Sequence, residues 1–223
     1  MSNDVTTSGS STAISKAEAM AANFRRVAAK AQSNVSFAKF VKGKYKAGGD
    51  DITGRSYLAL MDQLRHGWIK FEGGKVVTER VGKVADGYVE DNRDDLGDLD
   101  KGRWEIDMSG RPRDPWVFQY FLPLLDQETG AAVVFVTNSK GGLDAVGALS
   151  EVYALNLKLG LPVVKLAVGS YEHKSFGRIE IPNFLVTGWN GSGIVAPEIE
   201  VKAKAMEAPV ATKANDMDDE IPF

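Results

Sequence analysis

The chain predicts a mainly β, α+β fold: a five-stranded barrel with one helix between its third and fourth strands, preceded by an N-terminal extension and followed by a disordered acidic tail. Three observations carry that expectation. Between residues 67 and 195, short runs of alternating apolar and polar residues recur between turns rich in Gly, Asp and Pro. One stretch in that span breaks the pattern, with Leu143, Val146, Leu149, Tyr153 and Leu157 at helical spacing after the hairpin-like blocks and before the last strand runs. Finally, the last eight residues hold four carboxylates and then an apolar end, which a folded core would not leave outside.

Length and composition bound the rest. At 223 residues the chain can build one sizeable core with tails, and its 43% hydrophobic and 26% charged residues are those of an ordinary soluble protein. No apolar run is long enough to cross a bilayer and the polar N-terminus has no signal-peptide pattern, so the expected location is cytoplasmic. The absence of cysteine excludes disulfides, thiolate catalysis and Cys-based zinc sites. The net charge of −3 hides a segregation. Residues 1–85 carry 14 Lys+Arg against 7 Asp+Glu, residues 86–107 carry 3 against 9, residues 108–215 balance, and the tail adds four acids. An acidic total therefore does not exclude a polyanionic ligand, because local basic surface decides phosphate affinity.

Taken in order, residues 1–14 are Ser-, Thr- and Gly-rich with no hydrophobic period and read as a disordered arm. Ser15 and Glu18 form a capping box ahead of an Ala-rich helix to Gln32. Residues 36–46 alternate as one strand, with Phe37, Lys39, Val41 and Tyr45 on one side, and Tyr57 to Leu64 reads as a helical turn. Residues 67–71 and 75–84 form a hairpin around Glu72-Gly73-Gly74. Residues 86–107 form a long acidic loop whose carboxylate spacing does not fit a calcium loop. Trp116 to Leu122 and Ala131 to Thr137 make a second hairpin around Asp126 to Gly130. Asn138 or Ser139 caps the helix, which stops at Gly160. Pro162 to Val168 is a strand closed by a Gly-Ser turn, and Phe176 to Trp189 is a bent strand or hairpin interrupted at Pro182. The expected division is an arm at 1–14, an extension at 15–66 packing on the barrel, the barrel at 67–195, a linker at 196–215 and an acidic tip at 216–223.

Asp216, Asp218, Asp219 and Glu220 run into Ile221, Pro222 and Phe223. The same acidity would suit a solvated tail, but a terminal Phe presents a large ring and the chain's α-carboxylate at one point, which a pocket with a basic rim can grip. This ending resembles the acidic tip of bacterial and phage single-stranded-DNA-binding proteins. The resemblance covers 216–223 only. It implies that these seven residues dock on replication, recombination or repair proteins while an upstream OB-fold holds the DNA, and it suggests a phage or prophage protein in the host cytoplasm or nucleoid. The helix position makes the predicted barrel OB-like. The chain departs from the bacterial members in having some 65 residues before the first barrel strand and a short Ala/Lys linker. Only the tip residues therefore carry over, and association into a homo-oligomer stays open.

Single strands are held by cations that meet phosphates and by flat side chains on which bases stack. The residues offering this are Trp116, Phe118 and Tyr120 on one hairpin face, with Arg111 and Arg113 ahead of them. A second group is Arg55, Trp68, Lys70 and Arg80. A third is the turn with Tyr171, His173, Lys174, Phe176 and Arg178, and Lys140 could meet phosphate at the helix start. Aromatics in strands are more often core, and charged turns are as often only solvated. His66 and His173 have no metal-binding spacing, no nucleotide-loop or nucleophile motif occurs, and no cofactor, metal or catalysis is expected. Two alternatives remain open: an adaptor that recruits replication proteins without touching DNA, and a metal-dependent nuclease that holds Mg²⁺ on paired carboxylates of the 86–107 segment, Asp95 and Asp98 among them.

Overall fold

Residues Trp116–Leu125 form the strand around which the sheet is organised (β9). In the computed structural model, which describes residues 35–191 together with Glu198, Ile199 and Val201, β9 takes partners along both edges. One edge pairs antiparallel with β10 (Ala132–Thr137) from Leu125↔Ala132 to Tyr120↔Thr137. The other edge pairs first with β5 (Arg65–Glu72) and then with β4 (Ser56–Ala59), two strands divided by a tight turn at Met61–Gln63. Trp-Val-Phe-Gln-Tyr-Phe-Leu-Pro-Leu-Leu suits that place, since a strand paired on both edges and covered on much of its surface needs nearly continuous apolar residues.

From β9 the sheet runs two ways. Beyond β10 it continues through β1 (Ser36–Val41), which is parallel to β10, then β2 (Lys44–Ala47) and β3 (Asp50–Asp51). Beyond β4 it continues through β11 (Pro162–His173) and β12 (Gly177–Trp189), while β5 takes β6 (Lys75–Lys83). Two short strands, β7 (Glu105–Ile106) and β8 (Pro112–Arg113), pair separately. The helix α1 (Lys140–Leu155) starts where Ser139 Oγ accepts from the Gly142 amide and buries Gly142, Val146 and Leu149. Among the described residues no helix is long and apolar enough to cross a membrane.

The ladder stays open and closes no barrel. Its two ends nevertheless meet through side chains. Tyr45 of β2 is fully buried, with its ring 5.6 Å from Phe135 of β10 and 6.0 Å from Phe184 of β12. Its hydroxyl donates to the Asn183 carbonyl at 3.0 Å, and burial pushes the phenol pKa well up. Glycine at position 43 has a physical reason: a Cβ there would strike the Glu180 carboxylate of β12.

Several sequence expectations change. Residues 36–46 are two strands, because Lys42 and Gly43 both take positive φ and reverse the chain. Tyr45 therefore shares its face with Phe40 opposite it rather than with Phe37. Residues 36–66 are integral to the sheet and not an extension on it. The Gly169-Ser170 pair makes no turn: β11 continues to His173, and Gly169 lies across from Ile181 within one uninterrupted β12. Six long strands follow residue 64, with the helix after the fourth, where the expected barrel had five with the helix after the third. The folded part also resumes after Gly193, since Ile199 is buried and donates its amide to Gln63 Oε1 at 2.8 Å. The arm, the Ala-rich helix and the acidic tip lie outside the described residues.

Candidate nucleic-acid interface

Two surfaces gather the residue types that a single strand uses. The first is one face of β5, β6 and β9. Register places Trp68 between Arg80 of β6 and Phe118 of β9, and Lys70 beside Trp116. The rings form a continuous edge-to-face cluster, with Trp68–Phe118 at 5.4 Å and Phe118–Tyr120 at 5.6 Å, and His66 lies 5.8 Å from Tyr120. Trp68, Phe118 and Tyr120 are half-buried, so each keeps some exposed ring. Trp116 is only 6% exposed, so here it is core and not a stacking surface. The alternation that groups Trp116 with Phe118 and Tyr120 does not reveal which of them is covered.

What covers this face is the acidic segment between β6 and β8. Tyr88 inserts its ring against Gly82, where any Cβ would collide with it, and lies 5.4 Å from the His66 ring. Its hydroxyl donates to the Arg80 carbonyl at 2.9 Å. The Trp68 indole donates to the Asp91 carbonyl at 2.8 Å, and the Asp91 carboxylate holds Arg80 at 3.2 Å. Glu90 lies 3.6 Å from His66. Asp98 accepts from the Trp116 indole at 3.0 Å and pairs with Lys70 at 3.1 Å. The Lys70 ammonium, followed by the Trp116 indole, holds the Asp98 carboxyl below its usual range, and Glu72 and Asp98 together raise Lys70. Arg93 fixes the segment with two 2.7 Å bonds to Asp114 and a third to the Gly97 carbonyl.

The second surface is the far end of the β11–β12 hairpin. Tyr171 and Phe176 are 42% and 49% exposed. Tyr171 and His173, two positions apart in β11, point to one side, and the Phe176 ring packs 4.8 Å from His173. The Ser175 amide donates to His173 Nδ1 at 3.1 Å, which sets the tight turn. Lys174 and Arg178 are exposed, and neither forms an ion pair among the described residues, although Glu172 stands across the ladder from Arg178.

The remaining expected residues are dispersed. Arg111 leans on Asp107 at 3.8 Å, and Arg113 lines a cleft of about 430 Å³ with Lys70, Phe71, Trp104 and Pro115. Arg55 lies on an exposed turn and hydrogen-bonds the Tyr57 side chain, while Lys140 pairs with Asp144 one helical turn on. With the Gly142 amide already capped by Ser139, that helix start has one donor fewer for a phosphate. Sequence reasoning missed Tyr88, His66 and Trp104, whose ring has the Lys101 ammonium 5.7 Å above it. Isolated aromatics inside an acidic segment were the available signal, since a purely solvated loop has no use for them. The tip residues 216–223 lie outside the described residues. Compared with family models, curated proteins and solved structures, the chain matches none of them.

Proposed function

We propose that the protein binds single-stranded DNA largely without sequence specificity, and that its acidic tip brings partner proteins of replication, recombination or repair to the strand. The observation that carries this reading is the far end of the β11–β12 hairpin. It presents Tyr171 and Phe176 to solvent next to Lys174, which forms no ion pair among the described residues, while Arg178 extends from the opposite face of the hairpin across from Glu172. Large exposed rings are costly to leave in water, and a hairpin end that holds them next to a cation, with a second on its other face, suits bases stacked on rings with phosphates alongside.

The protein acts in this reading as a binder without catalysis, cofactor or metal. The OB-like description belongs to the same proposal. A curled sheet with its ends brought together at Tyr45, and one helix ahead of the last two strands, is compatible with a barrel that a bound strand or a second copy completes. Location in a bacterial cytoplasm or nucleoid, and a phage origin, follow from the tip's resemblance alone.

The test is binding of labelled oligo(dT) to the full chain across a salt series. The expected result is an affinity that falls steeply as salt rises, because each neutralised phosphate releases a counterion. A chain ending at Asn215 should keep or gain DNA affinity and lose capture of replication proteins. No binding at low salt overturns the DNA reading and leaves the tip as an adaptor.

A further inference from the structure

We propose that residues 86–92 are a built-in competitor for single-stranded DNA: they occupy the Trp68–Arg80–Tyr120 face and lift away when a strand binds there. This rests on the DNA-binding reading above and adds a second contact surface to it, closed in the free protein.

The groups under this strap are those a strand would use, and the strap satisfies them as a strand would. A carbonyl oxygen takes the Trp68 indole, a carboxylate takes Arg80, and the Tyr88 ring lies edge-on against His66 at the border of the Trp68–Phe118–Tyr120 cluster. Glu90 adds a negative charge beside His66 and Tyr120. Acceptor oxygens and one ring set along a sheet face reproduce the pattern of phosphates and a base.

The fastening is also graded. No strand occurs between Lys83 and Glu105, so no ladder ties the strap to the sheet. Gly87, near the start of the movable stretch, and Gly97, beyond its anchor, are both at positive φ. At the anchored end, Arg93 makes its paired bonds to Asp114 with only 19% of its side chain exposed. At the other end, the Asp91–Arg80 pair has side chains 41% and 54% exposed, and pairs of that kind hold weakly. The strap can therefore open from 86 to 92 while Arg93 serves as the pivot. A strand entering would exchange an intramolecular set of anionic contacts for its own phosphates.

The experiment compares oligo(dT) binding by the wild-type full chain, E90Q/D91N and D94N/D95N. Both variants remove two charges from the same segment, but the exposed Asp94 and Asp95 hold no group on the face. Opening the strap should raise the affinity of E90Q/D91N by about tenfold, the equivalent of two weak pairs, against about twofold or less for D94N/D95N. Hydrogen exchange of the wild-type chain supplies a readout that needs no variant: the Tyr88 amide, which donates to the Lys83 carbonyl at 3.3 Å, should exchange faster once oligo(dT) saturates the protein. Equal gains in the two variants, no gain in E90Q/D91N, or slower exchange of the Tyr88 amide on binding would each overturn the strap while leaving the DNA reading intact. If neither wild type nor variant binds oligo(dT), the DNA reading falls and the strap proposal with it.

Discussion

The hairpin end of β11–β12 and the face of β5, β6 and β9 are built from the same kinds of residue and stand in opposite states. At the hairpin end Tyr171 and Phe176 face solvent next to Lys174, and neither Lys174 nor Arg178 forms an ion pair among the described residues. On the sheet face Lys70, Arg80, Trp68 and Trp116 each have a partner supplied by the acidic segment. Aromatic and basic composition therefore marks a candidate surface but not whether that surface is free. That second property is decided by what the chain lays across it, and an anionic cover is the one that most resembles the strand proposed to bind.

The sharpest way to separate the two regions is to remove the rings from the open one. The Y171A/F176A variant should lose at least about 30-fold in oligo(dT) affinity, since each lost stacking contact costs roughly 1 to 3 kcal/mol. Its stability to urea should change by less than about 0.5 kcal/mol per site, because neither ring is core. An affinity held within about twofold would mean that the strand uses the sheet face alone, and the contrast between open and closed surfaces would collapse.

Much of the scaffold was legible because its signals are local. The Gly73-Gly74 turn carries two residues at positive φ, the 116–137 hairpin has a five-residue turn held by Asp126, and Ser139 caps the helix through its own side chain. The misread parts depend on distant partners or on an atypical turn. Lys42 at positive φ carries none of the Asn or Gly preference that announces a two-residue hairpin, so period-two alternation passed through it unbroken. Gly169-Ser170 resembles a turn in isolation but lies in an extended ladder opposite Ile181 and Glu180. The parallel pairing of β1 with β10 joins residues almost a hundred positions apart, and no pattern in either run announces it. The site was half legible for the same reason. The acid of 86–107 was plain in the sequence, but its seat over Trp68 and Arg80 depends on Gly82 leaving room for Tyr88, which is a fact of packing.

The pivot offers the second test of the comparison. Replacing Arg93 with Ala leaves Asp114 without its paired donors and frees the Gly97 carbonyl, so R93A should lose about 2 to 3 kcal/mol of stability to urea. The matching change at the open surface, R178A, should cost less than about 0.5 kcal/mol. Equal costs would show that the strap is no better anchored than the hairpin end, and opening about Arg93 would lose its physical basis.

The smallest effect concerns Asp98, which pairs with Lys70 on the covered face. Lys70 and the Trp116 indole depress its pKa in the folded state. A group lowered on folding adds stability at pH above its unfolded value, near 3.9 for an ordinary Asp, and that addition is lost as pH falls through the lower folded value. D98N should therefore be less stable than wild type at pH 7, and the gap should begin to narrow below about pH 4 and close in stronger acid. Parallel urea titrations of the two proteins at pH 7, 5, 4 and 3 measure the gap directly. A gap unchanged from pH 7 to pH 3 would mean that the carboxylate's charge contributes nothing, and that Asp98 holds Lys70 and Trp116 only as a neutral acceptor would. The anchored part of the segment would then be held by shape at this point, and the anionic contacts to the face would be confined to Glu90 and Asp91 of the strap.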